Sequence, residues 1–377
     1  MKALVAWRML VHEKGRSALA IGGILIAILL MFLQLGFYLA VPRGGLLFFD
    51  AMRFDLMMTS SAYVSQTQSY SFPRRRLYQA LALPEVTHAA ALYQASGRWL
   101  NPEASLVRDV FVIGFNPRDS VFDIPDVEKQ MNLMQLPDSI LVDTGSRREL
   151  GQLDIGRRIE IENRNVTIGG RYSLGTGFVG LGVAITSDLN FVRMFPNQGG
   201  LSEINLGLLT LRPGANPHEV AEQLRRIMPA DTQVFTRREL NEFEVGHWVT
   251  STSTGLVFGF GAIVAVIVGL VILNQTLTTQ ITRQLPQYAT LKAMGYTDRD
   301  LAGIVVMLAS ILSTVSFVPA AVLAIINYRI VRVATQLPIE MTLTRLFGVL
   351  AVAWGMSVVS ALLALRILRR ADPAELF

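Results

Sequence analysis

Cysteine is absent from the 377 residues of this sequence. No disulfide can hold a domain together, so any domain outside a membrane must be stabilised by its own hydrophobic core. No glycine precedes any of the lysines, which are Lys2, Lys14, Lys129 and Lys292. This excludes the Gly-Lys-Ser/Thr signature of a phosphate-binding loop, and the chain does not hydrolyse ATP by that route.

Metal ligands and nucleophile motifs are equally scarce. Histidine occurs at scattered positions, His12, His88, His218 and His247. His218 and Glu219 begin like a zinc-protease helix, but Glu222 stands where the second histidine is required. No G-x-S-x-G motif occurs, and the G-x-G-x-x-G match at 175–180 precedes a strand-like segment, which favours a loop over a dinucleotide site. The sequence thus predicts no catalytic, cofactor-binding or metal-binding residue.

Charged residues are missing from four long windows, residues 17–42, 245–282, 301–328 and 346–365. About 20 apolar residues cross the hydrocarbon layer of a membrane, so each window holds one transmembrane helix. We place these helices at 17–42, 248–275, 301–328 and 346–366. The predicted fold class is therefore a membrane α-helical protein with a large extracytoplasmic α+β domain, residues 43–247, between the first and second helices.

Basic residues indicate which side each segment faces. One side carries Lys2, Arg8, Lys14, Arg16, Arg283, Lys292, Arg299, Arg366, Arg369 and Arg370, whereas the short loop 329–345 carries only Arg329, Arg332 and Arg345. We therefore expect an interfacial helix at 1–16, the loop 276–300 and the tail 367–377 in the cytoplasm, and 43–247 and 329–345 in the periplasm. The basic balance comes from these flanks and does not predict binding to nucleic acid.

Within 43–247, apolar and β-branched runs bounded by turn residues predict an α+β fold. Strands are expected at 54–60, 86–93, 107–115, 139–142, 157–162, 165–171, 182–186, 203–211 and 232–236. Helices are expected at 73–83, 126–134, 144–150, 187–194 and 216–228. Asn216 is the expected N-cap of the last of these. Thr236 and Glu239 form a capping box that begins a helix running without a breaker into the second span.

The segment 283–300, RQLPQYATLKAMGYTDRD, predicts a short helix between two spans. Pro286 suits a first helical turn, and Gly295 is a C-cap. Tyr288, Leu291 and Met294 are spaced to share one apolar face. Thr297 and Asp300 then form a capping box for the next span. Such a helix is suited to contacting a partner protein, and a turn resting on lipid headgroups is the alternative.

The segment RQLPQYATLKAMGYTDRDL resembles the cytoplasmic loop of MacB/FtsX-type permeases, with its E-I-x-x-L-[RK]-A-x-G pattern, and most of all the DevC-type exporter permeases, where Y-A-T-L-K-A-M-G-Y is typical. In that family the loop is the coupling helix that docks on an ABC ATPase. The resemblance implies ATPase-coupling roles for Pro286, Tyr288, Leu291, Lys292, Met294 and Gly295. Gln287 stands where the family often has an acidic residue. The resemblance also implies two subdomains in 43–247, the inner one at about 106–200.

As a function, the resemblance implies the non-catalytic membrane subunit of an ABC exporter in a bacterial inner membrane. An ATPase subunit, an adaptor of the membrane-fusion type and an outer-membrane channel would be its partners, and a glycolipid or another amphiphile its cargo. The alternative is an FtsX-like regulator that controls a periplasmic cell-wall hydrolase without transport.

Gly255 and Gly259 are four residues apart in the second span, a spacing that lets two helices approach closely. The pattern fits packing against another span of the same chain as well as a dimer interface. The family resemblance favours a homodimer.

Single cysteines can test the topology because no native cysteine competes for label. We expect Ser146→Cys to react with a membrane-impermeant maleimide once the outer membrane is opened, and Thr290→Cys to react only after lysis. The reason is the excess of basic residues on the side that carries Thr290. Labelling in the reverse order would overturn the proposed topology.

Overall fold

The computed structural model of the chain describes residues 14–101, 103, 106–175, 177, 179–335 and 337–370. These fall into a helical unit, residues 14–40, 253–335 and 339–370, and an α+β domain, residues 41–252 with 337–338. Residues 1–13 of the expected interfacial helix and 371–377 of the expected tail lie outside the described residues.

In chain order the helices are α1 Lys14–Ala51, α2 Arg75–Ala80, α3 Pro125–Glu128, α4 Met131–Met134, α5 Asp188–Met194, α6 Pro217–Ile227, α7 Arg237–Gly246, α8 Ser253–Arg283, α9 Leu285–Ala293, α10 Asp298–Thr335 and α11 Leu343–Arg370. The strands are β1 Leu56–Ser60, β2 Phe72–Pro73, β3 Val86–Asn101, β4 Leu106–Phe115, β5 Ser139–Asp143, β6 Arg158–Ile161, β7 Arg164–Tyr172, β8 Val183–Ser187, β9 Glu203–Ile204, β10 Leu206–Leu211 and β11 Thr232–Thr236.

Within the described residues, four helices are long and apolar enough to cross a membrane. The apolar stretches are Ala18–Ala51 on α1, Ser253–Arg283 on α8, Arg299–Val333 on α10 and Leu343–Ala364 on α11. Helices suit the interior of a bilayer because each satisfies its own backbone hydrogen bonds. The predicted fold class is confirmed: four apolar helices are present, and the α+β domain lies between the first and second.

The α+β domain is built on a nine-stranded sheet in the order β11-β1-β10-β3-β4-β8-β5-β7-β6. The far end of β3 also pairs with β6, with Trp99 opposite Ile161 and Leu100 opposite Glu160. Strands β3, β4, β8, β5, β7 and β6 therefore form a closed ring, and β3 continues from the ring into the open part of the sheet. Strand β3 thus belongs to both parts of the sheet, and the division of 43–247 into two subdomains stays a prediction.

Closure leaves β11 as the edge of this sheet among the described strands. The guanidinium of Arg225 on α6 donates to the carbonyl oxygen of Val234 on β11, at 2.9 and 2.7 Å. The outward-facing carbonyl at the middle of the edge strand is therefore already hydrogen-bonded within the domain.

Both faces of the sheet are buried along β1, β5 and β8, where every residue is buried, and these strands are mostly apolar. Leu56 and Met58 of β1 belong to a core on one face, together with Leu224 of α6. Met57 belongs to a second core on the other face, together with Leu240 of α7. The alternation of neighbouring side chains between the two cores follows from the two-residue period of a strand.

Two expectations about helices are wrong. The helix expected at 144–150 is only a 3₁₀ turn at Arg148–Leu150. The Asp143 carboxylate fixes this region as a loop by accepting the backbone N–H of Gly145 at 2.6 Å and of Gly175 at 2.8 Å. Asp143 is fully buried, so the loop is held by hydrogen bonds that helical geometry would not provide.

The second error concerns the helix expected to continue unbroken into the second span. Helix α7 ends at Gly246, a π-helical turn covers His247–Ser251, and Thr252 is extended at φ −94° and ψ 144° before α8 begins. The hydroxyl of Thr250 donates to the Gly246 carbonyl at 2.7 Å, and that of Thr252 donates to the Trp248 carbonyl at 2.6 Å. Hydroxyl side chains that bond to the backbone in this way compete with regular helix geometry and weaken it here.

Arg237 joins the end of α1 to the start of α7. Its guanidinium donates to the carbonyl oxygens of Met52 at 2.6 Å, Phe49 at 3.2 Å and Phe54 at 3.2 Å. It also lies 4.1 Å above the centre of the Phe54 ring. Because the last carbonyls of a helix have no partner within the helix, a cation at this point satisfies them and complements the helix dipole.

We expect Arg237→Lys to lower the free energy of unfolding by about 1–3 kcal/mol, because an ammonium group cannot reach three carbonyl oxygens in a fixed fork. The measurement is the thermal unfolding midpoint of the full-length protein. Arg238→Lys is the matched control, since the Arg238 side chain is 88% exposed and forms its ion pair with Glu242 on the same helix. Equal midpoints for the two variants would contradict this role.

Candidate functional site

The short helix α9 is separated from α8 by Gln284 alone. Pro286 lies in the first turn of α9, as expected. Proline has no N–H and its ring clashes with the carbonyl four residues earlier, so the helix cannot continue straight through this point. The N–H of Gln284 still donates to the Gln280 carbonyl, and the N–H of Tyr288 donates to the Gln284 carbonyl, both at 3.1 Å. Pro286 therefore explains why α8 ends and α9 begins at Gln284. The backbone hydrogen bonds made by the N–H and the carbonyl of Gln284 are nevertheless kept.

One face of α9 is anchored in the helical unit. Tyr288 is 1% exposed and belongs to the same core as Ile281 of α8 and Leu301 of α10. Leu291 is half-buried against that core. Burial raises the pKa of Tyr288 to about 12, so its hydroxyl is neutral at physiological pH. This face fixes the short helix to the two long helices that flank it.

The opposite face of α9 is exposed. Pro286, Gln287 and Thr290 are exposed, and Met294 is 64% exposed. This placement revises the expected docking face, because Tyr288 is buried within its own chain and is not available to a partner. Met294 remains available, Lys292 is half-buried in the last turn, and Gln287 and Thr290 join the surface that a partner can touch.

The expected end of α9 at Gly295 is confirmed. Gly295 has φ +94°, a backbone conformation that glycine adopts readily and that residues with a Cβ atom disfavour. Its N–H donates to the Lys292 carbonyl at 3.0 Å, and the N–H of Tyr296 donates to the Leu291 carbonyl at 3.1 Å. These two bonds are the Schellman pattern, which satisfies the last carbonyls of a helix.

The capping box at the start of α10 is also confirmed. The Asp300 carboxylate accepts the Thr297 backbone N–H, and the Thr297 hydroxyl accepts the Asp300 backbone N–H, both at 3.3 Å. With Gly295 closing α9 and Thr297 opening α10, only a short turn separates the two helices.

The small residues of α8 lie against helices of the same chain. A Cβ atom at Gly259 would come within 3.2 Å of the Tyr38 ring on α1, and Gly255 is buried. One at Gly269 would meet Met356 of α11 at 3.1 Å. Gly259 and Gly269 thus pack against other helices of the chain, and the homodimer stays a prediction from the family resemblance.

Glu244 of α7 is a buried carboxyl group that the sequence patterns did not single out. It is fully buried, and the Tyr63 hydroxyl donates to it. Burial raises the pKa of Glu244 to about 7, although the hydrogen bond from Tyr63 lowers it in part. Only the contact across 181 positions of sequence places the two residues together, so no local signal could have found them.

Trp248 packs near Gly45 of α1, where a Cβ atom would lie 2.2 Å from the indole nitrogen. Only glycine allows this approach. Within the described ranges, no group of three or more His, Asp or Glu residues is placed to bind a metal ion.

Two family models match the chain. The MacB-like periplasmic core domain matches residues 17–227, and the FtsX-like permease C-terminal domain matches residues 259–373. No curated protein matches by sequence.

Among solved structures, the periplasmic region of MacB from Actinobacillus actinomycetemcomitans is 9% identical, with a TM-score of 0.35, covering 50% of this chain and 90% of that one. The extracellular domain of the noncanonic ABC-type transporter YknZ from Gram-positive bacteria is 12% identical, with a TM-score of 0.33, covering 48% of this chain and 99% of that one.

The pKa of Glu244 predicts a pH dependence of stability. Because folding raises the pKa from 4.5 to about 7, the folded chain holds this proton more tightly than the unfolded chain. The contribution of Glu244 to the unfolding free energy therefore falls by about 1.4 kcal/mol for each pH unit within that window. Glutamine stays neutral, so this fall is absent from Glu244→Gln.

We expect the melting temperature of Glu244→Gln minus that of wild type to increase as the pH is raised from about 5 to about 7.5, because only the wild type loses stability from this group. Glu242→Gln is the matched control on the same helix, because the Glu242 side chain is 65% exposed. A difference between Glu244→Gln and wild type that does not change with pH would show that Glu244 does not titrate in this window.

Proposed function

Because this chain belongs to the family of MacB-like and FtsX-like ABC transporter permeases, we propose that it is the membrane subunit of an ABC exporter and receives force from a separate ATPase through α9. Subunits of this family are permease-type membrane proteins, typically without catalysis of their own. In this proposal the chain binds no nucleotide. It converts movement of the ATPase into movement of its own helices.

The observation that supports this proposal is the two-sided character of α9. Its buried face, with Tyr288, shares a core with α8 and α10, and its exposed face presents Gln287, Thr290 and Met294. A helix that is fixed on one side and exposed on the other transfers a push to the elements that hold it. Protein interiors are close-packed, so a displacement of Tyr288 moves its neighbours in the core.

Movement of α9 can reach the α+β domain through two segments of the chain, helix α1 and the connection between α8 and α7. Helix α1 is continuous from Lys14 to Ala51, and its last carbonyls are held by Arg237. The chain between α7 and α8 is instead interrupted at Thr252. We propose that α1 carries movement as one rod, and that Thr252 is a hinge where the backbone dihedral angles change.

The apolar windows support ATP as the energy source. Residues 17–42, 248–282, 301–328 and 346–365 contain no Asp, Glu, Lys, Arg or His. A proton-driven carrier needs a group that titrates at membrane depth, and such groups usually mark proton pathways. We propose transport coupled to ATP hydrolysis by the partner, with an adaptor protein and an outer-membrane channel receiving an amphiphilic cargo such as a glycolipid.

A transport assay distinguishes the proposed exporter from the alternative, a regulator that does not transport. If vesicles that contain the permease and its ATPase move a labelled amphiphile when ATP is supplied, the protein is an exporter. ATP hydrolysis coupled to activation of a cell-wall hydrolase, with no lipid movement, would identify the regulator instead. Continued export in the presence of a protonophore is expected, because no proton path is proposed.

The docking face can be tested with Met294→Asp. We expect the ATPase retained on the tagged full-length permease from native membranes to fall by about tenfold or more, because a charge placed in an apolar contact loses its hydration. Ile155→Asp is the control: Ile155 is likewise an exposed apolar residue, 61% exposed, but lies in the α+β domain. If Met294→Asp retains as much ATPase as wild type and inserts into the membrane equally well, the proposed docking face is wrong.

A further inference from the structure

The α+β domain contains a groove of about 510 Å³ that has no part in the coupling described above. It lies between the loop Thr67–Ser71, strands β3 and β4, and the turn that carries Asn197 and Gln198. Its volume is within the range of small-molecule sites, which is about 300–1,000 Å³. None of the described residues that line it is charged. The lining instead consists of amides, hydroxyls and aromatic rings.

Asn205 builds the floor of the groove. It separates β9 from β10, and its side-chain oxygen accepts the backbone N–H of Gln94 at 2.8 Å. Its amide nitrogen donates to the Ser69 carbonyl at 3.0 Å. One buried side chain thus holds the 67–71 loop against strand β3, so the polar groups of the groove have fixed positions before any ligand arrives.

Gln94, at the floor of the groove, has hydrogen-bonding capacity that the described part of the chain does not satisfy. Gln94 as a whole is 3% exposed, and its side-chain amide nitrogen makes a long contact of 3.4 Å with the Ser69 hydroxyl. Its carbonyl oxygen Oε1 is buried and accepts no hydrogen bond within the described part of the chain. A buried acceptor without a donor is unfavourable, because it has lost its hydration and gained no hydrogen bond in return. A ligand that supplies a hydroxyl donor at this point would provide that hydrogen bond.

The remaining lining defines the kind of ligand. Tyr70 is 57% exposed, and Asn197 and Gln198 are exposed at the rim. Amides both donate and accept hydrogen bonds, so they match a ligand rich in hydroxyl groups. A tyrosine ring offers an apolar face to C–H groups. Because the described lining residues include no cation, a phosphate or carboxylate would remain unpaired there, which disfavours anionic ligands.

We propose that this groove binds an uncharged, polyhydroxylated group of the sugar type, with Gln94 as an acceptor at its floor and the Tyr70 ring against its apolar face. The assignment of this group to the headgroup of an exported amphiphile rests on the proposed function. A free sugar has the same chemistry, and the experiment below distinguishes the two sources.

The test uses the full-length protein in phospholipid nanodiscs, prepared without sugar-based detergent because such a detergent would occupy the groove. Maltose and a monoglucosyl diacylglycerol are the probes, and dissociation constants are measured by titration. We expect wild type to bind the glucosyl lipid, and both Gln94→Leu and Tyr70→Ala to weaken binding by about tenfold, the loss of one good contact. Tyr78→Ala, which removes a tyrosine that is 63% exposed on α2 outside the groove, is expected to bind as wild type does.

Thermal stability gives a second measurement. Gln94→Leu removes the incompletely bonded amide from the core, so its melting temperature should not fall even though binding is weakened. A residue that served only the fold would show the opposite pattern. Equal binding of maltose and the glucosyl lipid would support a sugar site that does not need the lipid.

The proposal is overturned if neither probe binds, or if both variants bind as wild type does. It is also overturned if Tyr70→Ala loses a co-purifying adaptor protein while neither sugar binds, because the groove would then be a protein contact. Each of these results can occur while Met294→Asp still lowers ATPase recovery. Failure of the groove and failure of the coupling function are therefore distinguishable.

Discussion

The capping of helix α1 by Arg237 is the interaction on which the arrangement of the α+β domain most depends. The last carbonyl oxygens of a helix have no partner within the regular helix, so at the end of the 38-residue helix α1 they are bonded by groups that follow it or come from elsewhere. The Ala51 carbonyl accepts the Asp123 N–H at 2.7 Å, and the Phe49 carbonyl accepts the Arg237 guanidinium at 3.2 Å. One guanidinium satisfies carbonyls at Phe49, Met52 and Phe54 and thereby fixes the start of α7. The end of the first long helix and the beginning of the segment that leads to the second are positioned by the same side chain.

Local signals in the sequence were sufficient wherever the physical cause was local. The N-cap at Asn216, the capping boxes at Thr236 and Thr297, and the positive φ of Gly295 were all predicted correctly, because each depends on residues within one helical turn. Most strands were found for a similar reason, since apolar and β-branched runs mark the strands that are buried along their length, such as β1, β5 and β8.

The errors have a different origin, because they depend on residues far apart in sequence or on competition for the backbone. Tyr288 has the spacing of an outward face, yet the flanking helices enclose it. The break at Thr252 follows from hydroxyl groups that bond to nearby carbonyls, which a count of helix-forming residues does not reveal. The groove likewise requires Asn205, Gln94 and Ser69 to meet across the sheet. None of these contacts leaves a pattern in a short window of sequence.

The closed ring of strands affects how readily the protein aggregates before it is inserted into the membrane. An exposed strand edge is a template on which another chain can add a strand, and proteins rich in sheet aggregate through such edges. Here the nine-stranded sheet offers only β11 as an edge among its described strands, five residues long, with the Val234 carbonyl already engaged by Arg225. While the apolar helices are being delivered to the membrane, the sheet therefore gives neighbouring chains little to pair with.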